Sequence, residues 1–162
     1  MLTRTDQGQP GLRLVLSVKS QFPDHAALRD SFAERLDAAI RANTAMLLSA
    51  AEGHYRPPLT EAEIPDVSAA RDATLAEWGR RIEVIWTEWH AHPQRLRPIR
   101  EAMEQNLLRA FAAMINELRQ RALGIRQYIW RTRDDVRVRS SHAAHDDKLF
   151  NWDDPPEGGH PG

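Results

Sequence analysis

The chain of 162 residues contains no cysteine. That excludes a disulfide scaffold and a thiolate zinc site within these residues, and it fits a reducing compartment. A charge of one sign is missing too: 22 basic residues against 23 acidic ones leave a net charge of -1, so no global bias draws the chain to nucleic acid or membrane. Long apolar runs are absent. Leu12 to Val18 is short and interrupted by Arg13, and the first residues lack the basic and apolar regions of a secretory signal. A soluble protein, made in the cytoplasm, is the expectation. There is no Gly-x-Ser-x-Gly, no phosphate-cradling glycine loop, no dinucleotide fingerprint and no His-Glu-x-x-His.

What is present is helical periodicity. A first helix should open near Asp24 and carry Leu28, Phe32, Leu36, Ile40 and Leu47 on one side, with Gly53 as its left-handed terminator. A second, from Pro65-Asp66, places Val67, Ala70, Leu75, Trp78, Ile82, Trp86 and Trp89 in a seam that reads as core, with packing against another subunit as the alternative. His90 and His92 are surface residues where it ends at Pro93. A third is expected from Pro98, with Ile99, Met103, Leu107, Phe111, Ile115, Leu118 and Ala122 apolar and Gly124 as its stop.

After Gly124 the period changes to that of a pleated strand. Gln127 to Thr132 places Tyr128, Trp130 and Thr132 on one face; Arg133-Asp134-Asp135 is a turn, and Val136-Arg137-Val138-Arg139 alternates. Lys148-Leu149-Phe150 is a candidate third strand, and the segment from Asp153 to Gly162 is an irregular Pro/Gly-rich tail. The fold class is therefore α+β: a mostly helical N-terminal two-thirds, then a small antiparallel β-hairpin sheet. Residues 1–93 form the helical region and 94–162 the second unit, with Trp130 and Val138 expected against Phe111 and Leu118.

Three sites carry candidate chemistry. Arg131, Arg137 and Arg139 would share a guanidinium face suited to phosphates or a partner's carboxylates. The competing reading is neutralisation by the acidic segment that begins at Asp146. His142, His145, Asp146, Asp147, Asp153 and His160 hold metal-ligating types, and a metal-dependent hydrolase or nuclease would draw on His142, Asp146 and His160. The set matches no complete metal motif. Ser140-Ser141-His142 sets a hydroxyl beside an imidazole, but Ser141 is better read as a helix cap. The arginines from Arg95 to Arg139 also suit a nucleic-acid surface, whose binding would fall steeply with salt.

From about Gln94 onward the chain resembles the phage Mu F-like minor head proteins. The resemblance rests on Tyr128-x-Trp130-x-Thr132, Arg137-x-Arg139 ahead of Ser141-His142, Phe150-x-Trp152-Asp153 with Pro155-Pro156, and the closing Gly159-His160-Pro161-Gly162. It implies a non-enzymatic component of the head of a tailed phage or prophage, acting in head morphogenesis. Its implied partners are portal, major capsid or scaffold proteins and packaged DNA, with no membrane and no small-molecule substrate. Its implied location is the host cytoplasm during assembly and the virion head afterwards.

Two departures stand out. Where the family has a glycine just before the Phe150 strand, this chain has Asp146-Asp147-Lys148, and an aspartate there should keep the left-handed turn. Family members also continue to a Cys-Arg-Cys segment, so the domain reads as C-terminally incomplete. No cofactor is expected, and zinc would require that cysteine segment.

Overall fold

The computed structural model describes residues 25–53, 57–131, 143–156 and 159. Three long helices come first: α1 (His25–Ala51), α2 (Ser68–Trp89) and α3 (Pro93–Ala122). Two short strands follow, β1 (Gln127–Ile129) and β2 (Leu149–Asn151), paired antiparallel with Tyr128 opposite Phe150 and Ile129 opposite Leu149. This is the α+β arrangement the sequence implies. Its partner strand for β1 is the candidate third strand; the expected Val136–Arg139 strand lies outside the described residues.

Each helix buries the stripe its spacing sets up. Phe32, Leu36, Val67, Leu75, Trp78, Ile82, Leu96, Leu107, Phe111 and Ile115 form one core drawn from all three helices, with Phe32 stacked on Trp78 at 6.0 Å between ring centres. Only Trp78 of the α2 tryptophans is fully sequestered. Trp86 and Trp89 are half-buried at the core margin, beside His25, His90 and His92. Gly53 and Gly124 both take the positive φ that ends a helix without a Cβ penalty. Beyond Gly124, the Ile125 N–H bonds back to the Gln120 carbonyl.

Two expectations need correction. α3 begins at Pro93, not Pro98, because proline at the first helical position loses no hydrogen bond the helix would otherwise make. Pro98 then falls inside the helix and deprives the Gln94 carbonyl of its partner, but Gln94 is exposed and water can replace it. The α3 stripe also turns differently at its end. Leu118 is 48% exposed, and Arg119 occupies the buried position four residues after Ile115.

Two charges lie in the helical core. Glu104, 3% exposed, accepts hydrogen bonds from Trp78 Nε1 at 3.1 Å, from Arg35 at 2.9 Å and from Arg100 at 3.0 Å to each oxygen. These donors come from all three helices, so one carboxylate ties the bundle together. Arg119, 4% exposed, donates to the Pro65 and Ile40 carbonyls, the Asn43 side chain and the Thr44 hydroxyl. It fastens the α1–α2 connection onto α3.

Candidate functional site

The aromatic family-like residues gather in a second, smaller core beyond the end of α3. Tyr128, Trp130 and Trp152 are buried there, with Phe150 packed against them. Strand alternation sends Tyr128 and Phe150 to the inner face and leaves Ile129 and Leu149 on the outer one, 54% and 58% exposed. Tyr128 lies 4.3 Å from Trp152 between ring centres. His145 packs edge-on against both Trp130 and Phe150, at 5.2 Å from each. Burial raises the Tyr128 hydroxyl above its usual pKa, and the charge of Glu117 adds to the shift.

Polar contacts fix this unit to α3. Trp152 Nε1 donates to Gln120 Oε1 at 3.3 Å, and Arg121 donates to the Trp152 carbonyl and to Asp153, the latter at 2.6 Å. The Trp152 N–H bonds the Arg126 carbonyl at 3.0 Å, closing the sheet against the helix end. Trp130 thus belongs to this second core and not, as expected, to the Phe111 stripe; Val138 lies outside the described residues. The reason is distance along the chain: the turn at Gly124 carries the strand past the end of the helical core.

The strand pairing ends in a β-bulge at Asp147. The Asp147 N–H bonds the Trp130 carbonyl while the Trp130 N–H bonds the Lys148 carbonyl, both at 2.9 Å, so two residues face one. Asp147, in the first bulge position, has φ 60°, where glycine is easiest and aspartate is among the better-tolerated alternatives. The left-handed turn expected of the Asp146-Asp147-Lys148 segment is kept. The Asp147 carboxylate also pairs with Arg131 across the bulge.

The remaining candidates divide as follows. Arg131 meets Asp147 and Arg121 meets Asp153, so these guanidiniums are paired with the acidic segment. Arg97 and Arg100 pair with Glu101 and Glu104. Asp146 is half-buried, Pro155 exposed and Pro156 half-buried, and Pro156 accepts the Gly159 N–H in a turn. Among the described residues no three of His, Cys, Asp and Glu come together as a metal site. Thr132, Arg137, Arg139, Ser140, Ser141, His142 and His160 lie outside the described residues. Sequence reasoning missed Glu104 and Arg119 as organising groups. For Arg119 the face was available from phase, since Leu107, Phe111, Ile115 and Arg119 are four apart, but no such signal gave the worth of burying either charge.

Set beside known families, residues 73–162 match the model of the phage Mu protein F like proteins. The chain belongs to this family. The matched stretch begins in α2, well before Gln94, and takes in all of α3, the aromatic core and the tail. Comparison with curated proteins and with solved structures gives no match. The family is one of phage head proteins, and no helix among the described residues is long and apolar enough to cross a membrane.

Proposed function

We propose that this Mu F-like protein is a minor head component that acts in head assembly through protein contacts and not through catalysis. The observation that carries the reading is the family match over residues 73–162, within which Tyr128, Trp130, Phe150 and Trp152 build a packed aromatic unit fastened to α3. Tyr128, Trp130, Phe150 and Trp152 spend their rings on packing, which suits a rigid docking unit. Its outer face presents the apolar pair Ile129 and Leu149 to a portal, major capsid or scaffold protein. In this reading the packed helices supply the framework and the aromatic unit beyond α3 the docking surface, within a chain whose division near residue 93 separates the helical lead-in from the Mu F-like part. The protein meets its partners in the host cytoplasm and ends in the virion head. In the same proposal Arg137 and Arg139, which lie outside the described residues, would serve a partner or phosphate, and exposed Arg109 and Arg126 would touch packaged DNA.

Co-expression with coat, portal and scaffold proteins, followed by sedimentation, tests the proposal. The chain should travel with procapsids after a high-salt wash. A folded chain left wholly in the soluble fraction would refute it.

A further inference from the structure

Arg119 is the one buried cation among the described residues, and no carboxylate answers it. Its Nε and Nη1 are spent on four neutral oxygens at 3.0 to 3.2 Å; its Nη2 makes no hydrogen bond among the described residues. The contrast with Glu104, answered by two guanidiniums, is sharp. Burying a guanidinium without a counter-charge is costly, and its burial pushes Arg119 below the usual arginine pKa. Asp66 is near enough for its charge to be felt, but its carboxylate accepts the Ser68 N–H and hydroxyl and makes no ion pair with Arg119.

Arg119 forms part of the wall of an open groove of about 580 Å³ between the second half of α1 and the 61–66 segment. Arg41 lines the same groove and is exposed; its charge is felt by Asp37, four residues earlier, but Asp37 spends its hydrogen bonds on Arg71 and no ion pair reaches Arg41 among the described residues. Two acids also line it: Asp66, engaged as above, and exposed Glu61. Ile40, Leu48 and Ile64 supply apolar wall.

We propose that this groove is a docking site for an acidic side chain of a protein partner, whose carboxylate completes the ion pairing of Arg119 and Arg41. A carboxylate fits better than a phosphodiester. Arg119 has one nitrogen left to offer, which serves a single acceptor oxygen of either group, so the choice rests on the apolar wall, which suits the neighbouring residues of a peptide. The site stands on its own geometry; only the identity of the partner as a head protein rests on the function proposed above.

The test is a titration of the full chain, followed by ¹H–¹⁵N spectra that include arginine Nε–H signals, with the Arg119 signal assigned from Arg119→Lys. The probes are a blocked tri-glutamate peptide, its tri-glutamine counterpart and inorganic phosphate. Tri-glutamate should shift Arg119 Nε–H and the amides of Ile40 to Thr44 saturably, tri-glutamine should not, and Arg41→Gln should weaken binding about threefold or more. Equal shifts with both peptides, an Arg41→Gln variant that binds like the parent, or saturable binding of phosphate alone would overturn the assignment. None of these results depends on particle assembly, so failure here leaves the head-protein reading to its own experiment.

Discussion

Replacing Glu104 with glutamine should destabilise the helical core far more than its single-atom change in shape implies. The carboxylate's Oε1 takes Trp78 Nε1 and Arg100, and Oε2 takes Arg35 and Arg100. Glutamine leaves one oxygen to accept and turns an NH₂ toward guanidiniums that are themselves donors. Arg100 is held almost out of water, with 16% of its side chain exposed, so it cannot simply turn to solvent. Breaking a buried ion pair by removing one partner costs about 3–5 kcal/mol. At roughly 2–4 °C per kcal/mol for a chain of this length, Glu104→Gln should lower the melting temperature by about 6–20 °C. Urea unfolding followed by far-ultraviolet circular dichroism measures the same loss as a lower midpoint at unchanged slope. Glu101→Gln, which disturbs an exposed pair with Arg97 and only a long 3.7 Å contact with Arg100, is the control and should melt like the parent. A Glu104→Gln loss below about 1 kcal/mol would refute the claim that this carboxylate ties the three helices together.

Other perturbations give equally definite expectations. Asp147→Val places a β-branched residue at φ 60° and should cost about 1–2 kcal/mol relative to Asp147→Gly, which should melt at or above the parent; equal melting of the two would discredit the bulge. Hydrogen bonds from Arg71 hold the Asp37 carboxyl below its usual pKa. The resulting stability is present above the unfolded value near about 4 and is lost as pH falls through the folded one, so the melting advantage of the parent over Asp37→Asn should shrink on acidification. An advantage that is constant or grows toward low pH would contradict this. Trp152→Ala removes the ring that bridges Tyr128 and Gln120 and should cost about 3–5 kcal/mol in the C-terminal unit. Hydrogen exchange should localise that loss to β1 and β2 and spare α1.

The helical framework was legible because spacing alone marks which side of a helix is dry. Phe32, Leu36, Leu75, Trp78, Ile82, Leu107, Phe111 and Ile115 all lie where the period puts them, and Gly53 and Gly124 end their helices with positive φ. The charged members of the core were not legible. Period assigns a face, while the worth of burying Glu104 or Arg119 depends on Arg35, Arg100, Pro65 and Asn43, which come from distant segments. For the same reason the arginines between Arg95 and Arg139 looked like one surface. Folding gives them separate tasks: Arg100 in the core, Arg119 at the α1–α2 connection, and Arg121 and Arg131 on Asp153 and Asp147. In the candidate site the motif residues were identifiable one by one. The pairing of β1 with Leu149–Asn151 and the placing of Trp130 away from Phe111 required the chain path beyond Gly124. The Asp147 turn was anticipated because backbone conformation is a local property that a single residue type constrains.

The central claim, that this chain is a working part of a phage head, is tested most directly by quantitative mass spectrometry of heads purified from an induced lysate. The account predicts that the chain is present in gradient-purified heads at a small fixed ratio to the major capsid protein and survives a salt wash. A chain that is expressed and folded in the same cells but absent from purified heads would contradict it.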